Sequence, residues 1–221
     1  MANAMCPSLP SLVLEKIFLN LPAEDVALNC RSVCGHWMVA CKKHWVERCW
    51  REGIMPSRPP KNWLLFYFLS KKRRNLLINP RSEDGLNGWE SVGGDTWMCY
   101  KRQLINLRKD GYGPALMDDI QPDIKISDWY APNSNGQSCY EILVELLDQN
   151  KKPINVFHPE PVNIEQGNDQ QSCQVSHVFK AYGPGVRFIC FTHGMIDTGN
   201  WAGSHGIQAI NSSVEICPEK E

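Results

Sequence analysis

Apolar positions near the start of the chain recur with the spacing of a helix face. Behind a Leu9-Pro10 pair, Leu14, Ile17, Phe18 and Leu21 fall at i, i+3, i+4 and i+7, which predicts one amphipathic helix. Pro22 ends it, because proline lacks the N–H that a continuing helix needs. Cys30, Val33, Cys34 and Trp37 repeat the spacing and predict a second helix. A segment of about 40 residues is near the lower size limit for a domain that folds alone. This one has more apolar face than it can bury within itself, which predicts burial against a partner. A Pro-rich joint, MPSRPPKN at 55–62, then leads into a helix over 63–75, read as a linker.

Past Asn79-Pro80 the period changes from helical to two. Tyr140, Ile142, Val144 and Leu146 alternate with Glu141, Leu143, Glu145 and Leu147, so both faces of that strand carry apolar groups. Val186, Phe188, Cys190 and Thr192 alternate with Arg187, Ile189, Phe191 and His193 in the same way. Further strands are expected over 124–130, 156–158, 174–182 and 206–217, separated by Gly and Pro. Many short strands with such punctuation argue for an antiparallel sandwich or barrel.

At 221 residues the chain has room for one to two domains. Its formal net charge of −1 supplies no field to gather nucleic acid or an anionic membrane. The one basic run, Lys71, Lys72, Arg73 and Arg74, closes an apolar helix, where positive charge is favoured. No stretch approaches the ~18 apolar residues of a membrane span. The opening MANAMCPSLP has neither the charged nor the apolar region of a signal peptide, so a cytoplasmic, reducing setting is expected. The ten cysteines then read as small buried hydrophobes, and the lack of any Cys-x-x-Cys pair argues against zinc. The nucleophile elbow, phosphate loop and dinucleotide fingerprint are all missing from the sequence. Asp118-Asp119 reads as a solvated turn, and His177 and His193 as packed strand residues. These features describe a non-catalytic binding protein with no cofactor and no metal site.

The stretch LPSLVLEKIFLNLPAEDVALNCRSVCGHW (9–37) resembles the F-box, the adaptor-binding module of cullin–RING ubiquitin ligases. The Leu-Pro start, Ile17-Phe18, the Leu21-Pro22 break and the Cys-Arg-x-Val-Cys-x-x-Trp ending carry that resemblance. Further on, FYFLSKKRRNLLINP (66–80), Gly88-Trp89, GGDTW (93–97), Asp128-Trp129-Tyr130, YGPGVRFICFTHG (182–194), Trp201-Ala202-Gly203 and Asn211-Ser212-Ser213-Val214 resemble the F-box-associated (FBA) domain. This domain is the substrate-binding half of the sugar-recognising F-box proteins. The resemblance implies an α+β chain of two domains. A helical F-box (1–52) and a Pro-rich joint with linker helix (53–79) would precede an antiparallel jelly-roll-like β-sandwich (80–218). It also implies that Leu9, Pro10, Leu14, Ile17, Phe18, Leu21 and Pro22 meet a Skp-type adaptor, and through it cullin and RING subunits.

By the same resemblance, a loop tip at one end of the sandwich holds the inner sugars of an N-linked glycan, and Asn200, Trp201 and Ala202 occupy that tip here. An indole is suited to the task, because it offers a large rigid face at little entropic cost. Glycan-binding relatives place an aromatic residue before this tryptophan and a basic one after it, where this chain has Asn200 and Ala202. They also carry a long insert where this chain has only 96–102, which implies either a sandwich trimmed at one edge and weakest over 93–102, or a splice form or incomplete gene model. The expected function is substrate recognition in an SCF-type ligase. N-glycosylated, high-mannose or misfolded glycoproteins would be delivered to ubiquitination and ER-associated degradation. The alternatives are a glycan-independent substrate receptor and a lectin-like FBA protein outside any ligase.

Overall fold

The computed structural model describes residues 9–92, 98–131, 138–164, 172–197 and 208–218. The chain divides into two compact units, residues 1–73 and 74–221.

The first unit is helical. Helix α1 spans Ser11–Leu19 and α2 spans Ala23–Leu28. A 3-10 turn, Cys30–Ser32, leads to α3 at Gly35–Arg51, and α4 runs over Trp63–Lys72. Pro10 and Pro22 occupy the N-cap positions of α1 and α2 with φ of −54° and −53°, so each Leu-Pro pair fixes where a helix begins. The expected second helix is corrected. Cys34 is extended (φ −163°, ψ 170°) and splits the stripe into the 3-10 turn and the start of α3, which leaves Val33 exposed. The apolar face of α3 is instead Cys41, Trp45 and Cys49, four residues apart, with Ala40 and His44 beside them. Gly53 (φ 69°) closes α3: the Ile54 N–H donates to Cys49 O at 2.8 Å and the Gly53 N–H to Trp50 O at 3.2 Å, a Schellman motif.

Helix α4, expected as a linker over 63–75, stops at Lys72 and belongs to this unit's core. Trp45 lies 5.3 Å from Tyr67 and 5.6 Å from Phe68, ring centre to ring centre, and Phe66 and Tyr67 are buried with it. The Asn62 side chain caps α4 by accepting from the Leu65 N–H at 3.1 Å. Lys71 in its last turn pairs with Glu52 at 2.6 Å.

The second unit is an antiparallel β-sandwich. Strands β1 (Glu90–Val92), β2 (Met98–Asn106), β8 (Phe188–Asp197), β4 (Ser138–Leu147) and β5 (Pro153–Phe157) lie side by side in that order, and β6 (Val162–Ile164) also pairs with β4. The opposing sheet has the order β7 (Cys173–Phe179), β3 (Ile124–Ala131), β9 (Gln208–Ile216). Strand β3 alternates buried and half-buried residues throughout, with Ile124, Ile126 and Tyr130 inward. They meet Ile142, Val144 and Leu146 of β4 and Ile189 and Phe191 of β8, all buried. Val186 and Arg187, expected in a strand, precede β8, and 180–182 lie beyond β7.

The outer edge of β9 is covered by residues 75–80. The Leu76 N–H donates to Val214 O at 2.8 Å, and the Asn75 amide spans Ser212 O at 2.8 Å and the Val214 N–H at 3.0 Å. The same segment reaches the other sheet, where the buried Gln103 side chain bonds both the N–H (2.7 Å) and the carbonyl (3.0 Å) of Ile78. Gly88 (φ 79°) makes this approach possible, because a Cβ there would lie 2.8 Å from the Ile78 side chain. Residues 93–97 of the segment expected to be weak lie outside the described residues. Residues 100–102 pair with β1 on one side and β8 on the other. The short edge strand is guarded by charge, Glu90 holding Arg102 through bonds of 2.9 and 3.1 Å.

Candidate functional site

Helix α1 sorts its apolar residues to two sides. Leu14 and Phe18 are fully buried, and the Phe18 ring meets Trp37 edge-on at 5.4 Å and His44 at 6.0 Å. Leu9 (41% exposed), Leu12 (73%), Val13 (42%) and Ile17 (39%) remain in solvent. The expected adaptor-binding set therefore splits. Leu14 and Phe18 are interior supports, Leu21 is half-buried against them, and Leu9, Pro10, Ile17 and Pro22 are exposed. Leu12 and Val13 were missed because they lie off the helical stripe, although an apolar residue off the stripe is itself the sign of a second face. Arg48 fastens the C-terminus of α1, donating to Leu21 O at 3.0 Å, and pairs with Glu52 at 3.1 Å. Glu52 also accepts from the Tyr67 hydroxyl at 2.9 and 3.0 Å, and these partners with Lys71 hold its carboxyl below the usual range against the opposing effect of burial. Burial, reinforced by the nearby Arg48 and Arg51 charges, lowers the His44 pKa to about 4 and keeps the ring neutral.

In the sandwich, strand ends gather at one rim. Met98 pairs with Ile196, Ser138 with Asp197 and Ile164, Ala131 with Gln208, and Tyr130 with Cys173. Stacking of Tyr130 on Tyr140 at 4.0 Å brings the ends of the two sheets together. Asn200, Trp201 and Ala202 lie outside the described residues, on the chain between Asp197 and Gln208, both of which end at this rim.

Beneath the rim is a buried polar hub that sequence reasoning did not find. Asp128 of β3 accepts from the Tyr140 hydroxyl of β4, from Ser212 Oγ of β9 at 2.8 Å and from His193 Nδ1 of β8 at 2.5 Å. One carboxylate thereby joins both sheets. Burial, then the charge and bond of Asp128, raise the Tyr140 pKa far above the ordinary phenol value, so the hydroxyl stays a donor. Trp89 stacks on His193 at 5.1 Å, and Lys101 Nζ sits 4.3 Å over the same indole. Ser, His and Asp do not form a nucleophilic arrangement here. Ser212 bonds the carboxylate rather than the imidazole, and all three are at most 2% exposed.

The sequence matches the F-box domain family over residues 6–48 and the family described as the F-box associated region over residues 96–216. The chain belongs to the F-box proteins that carry an F-box-associated domain. It is 36% identical to human F-box only protein 44, with 99% of each chain covered. It is 34% identical to human F-box only protein 6 (96% of this chain, 84% of the relative) and 35% identical to bovine F-box only protein 2 (97% and 85%). The alignment to F-box only protein 44 runs over 252 positions, more than the 221 residues of this F-box protein, so the relative has residues with no counterpart here. Among the described residues, no helix is long and apolar enough to cross a membrane.

Proposed function

We propose that this F-box protein is the substrate receptor of an SCF-type cullin–RING ubiquitin ligase. The exposed face of α1, with Leu9, Pro10, Ile17 and Pro22 from the motif and Leu12 and Val13 beside them, docks on a Skp-type adaptor and so reaches cullin and RING subunits. Leu14, Phe18 and Leu21 hold that face in shape from within. The rim of the sandwich receives N-linked high-mannose or misfolded glycoproteins in the cytoplasm for ubiquitination and ER-associated degradation. Trp201 supplies a stacking face and Asn200 a hydrogen-bonding amide. The observation that carries the adaptor reading is Leu12, an apolar side chain 73% exposed on a helix whose core side is already filled.

One aromatic platform is worth about 1–3 kcal/mol, by analogy with base stacking. With Asn200 and Ala202 flanking it, the rim should bind chitobiose in the micromolar-to-millimolar range, roughly −4 to −8 kcal/mol. Titration of chitobiose into the full chain, followed by amide shifts, tests this. Saturable binding lost in Trp201→Ala is the expected result, and binding that survives Trp201→Ala would place the site elsewhere. A second reading, a glycan-independent receptor in the same ligase, is favoured by Asn200 and Ala202, which bring neither a second ring nor a charge. It predicts no sugar binding with adaptor binding intact. A lectin-like role outside a ligase predicts the reverse.

A further inference from the structure

Two open sheets leave four strand edges, and among the described residues three of these are protected against pairing with another chain. Strand β1 is only three residues long and carries the Glu90–Arg102 pair. Strand β5 opens on Pro153 behind Lys151 and Lys152, and β6, on the same side of β4, follows Pro161. Residues 75–80 cover β9.

Strand β7 has none of these devices. Its seven residues, CQVSHVF, include no lysine, arginine, carboxylate or proline, and it pairs with β3 from Cys173 to Phe179 without a bulge. Cys173, Gln174 and Ser176 are exposed. His177 adds no charge to the edge, because its ring stacks on Phe157 at 4.2 Å and burial lowers its pKa. Among the described residues, the backbone of 174–179 pairs with β3 alone. Half of its N–H and C=O groups therefore point away from the sheet, along a straight and uncharged edge.

We propose that this edge belongs to a second copy of the chain, with β7 pairing antiparallel to β7 of that copy and joining the two smaller sheets into one. Full overlap of the strand with itself sets the register. Ser176 then faces Ser176 of the second copy, while Val175 faces His177, Gln174 faces Val178 and Cys173 faces Phe179. No like charges meet in these pairs, and Lys180 falls opposite Ser172. About six to eight backbone hydrogen bonds would form. An unfolded segment of another protein must be ordered before it can pair, whereas the second copy is already held extended by β3. Antiparallel pairing also sends the two rims, at the Cys173 ends, to opposite ends of the joined sheet, so neither blocks the other. The dimer does not depend on what the rim binds.

Sedimentation velocity of the full chain under reducing conditions tests this over about 1–200 µM, the range suited to a small interface. A monomer–dimer equilibrium is expected, with hydrogen–deuterium exchange of the 174–179 amides slowing as concentration rises. Ser176→Lys sets two lysines face to face and should weaken the dimer about fivefold or more, with the melting temperature unchanged. Ser176→Cys carries the test if that variant fails to fold. Directly opposed residues lie about 4.5–5.5 Å apart at Cα, within disulfide reach. Oxygen, with copper phenanthroline as catalyst, should therefore take the two thiol hydrogens and leave a linked dimer. The wild type, whose exposed Cys173 faces Phe179 of the second copy, should stay unlinked. A chain that sediments as a monomer throughout, a dimer that Ser176→Lys leaves intact, or a Ser176→Cys variant that links no better than the wild type would overturn the proposal. Protection of 174–179 in a monomer only on addition of a permanently unfolded polypeptide, reduced and carboxymethylated lactalbumin, would also overturn it and give the edge to a client segment.

Discussion

Replacing Phe18 and replacing Leu12 with Ile17 should damage the first unit in different ways. Phe18 is fully buried between Trp37 and His44, so Phe18→Ala leaves a cavity and should cost about 3–5 kcal/mol. Small domains are only about 5–15 kcal/mol stable, so loss of adaptor binding by this variant would reflect partial unfolding. Leu12 is 73% exposed and Ile17 39% exposed, and alanine is an excellent helix former. The double variant Leu12→Ala, Ile17→Ala should therefore keep stability within roughly 0.5 kcal/mol. If the adaptor covers both side chains, their loss removes about 2–4 kcal/mol of burial, or thirtyfold to several-hundredfold in affinity. Calorimetric titration with a purified Skp-type adaptor, beside helix melting of each variant, separates the two effects. A double variant that binds like the wild type would refute the docking face. A double variant that melts as early as Phe18→Ala would show that these residues serve the interior.

Three further outcomes follow from ionisable groups. His44 has its pKa lowered to about 4, so an unfolded chain takes up its proton before the folded one does. Its share of stability is complete above the ordinary histidine range and lost as pH falls towards 4; melting the full chain across that range should show a decline that His44→Leu flattens. Asp128→Ala removes the acceptor for three buried donors and should destabilise the sandwich by about 3–5 kcal/mol, measured by denaturant unfolding. A loss below about 1 kcal/mol would contradict the hub. Arg187 grips both Asp118 oxygens at 2.7 and 2.8 Å and, with the Gly185 N–H, lowers that carboxyl to about 2. Arg187→Lys cannot make the paired contact and should raise the Asp118 pKa, as read by carboxyl carbon shifts in an acid titration.

The sequence made α1 legible because one stripe and two Leu-Pro pairs all point to the same helix boundaries. It misread 30–37, where helical spacing persists through Cys34 although the backbone there is extended. Periodicity counts positions and does not detect a turn that preserves the count. That α4 packs into the first unit's core was not legible for a related reason. Nothing in an apolar helix says which partner covers it, and Trp45 is the covering residue here. The Asp128 hub was half visible: Ile124, Ile126, Asp128 and Tyr130 share one face of β3, and Ile189, Phe191 and His193 share one face of β8. A single polar residue in an apolar row marks a buried partner. Pairing residues 65 positions apart required the strand order.

The central claim, a receptor that carries glycoproteins to ubiquitination, meets its most direct test in a reconstituted ligase. The full chain would be combined with a Skp-type adaptor, cullin, RING subunit and charged ubiquitin-conjugating enzyme, then given one unfolded high-mannose glycoprotein before and after enzymatic removal of its glycans. Ubiquitin chains on the glycosylated form, reduced on the stripped form and absent with the Leu12→Ala, Ile17→Ala variant, are the predicted result. Equal modification of both forms, or modification that persists with that variant, would contradict it.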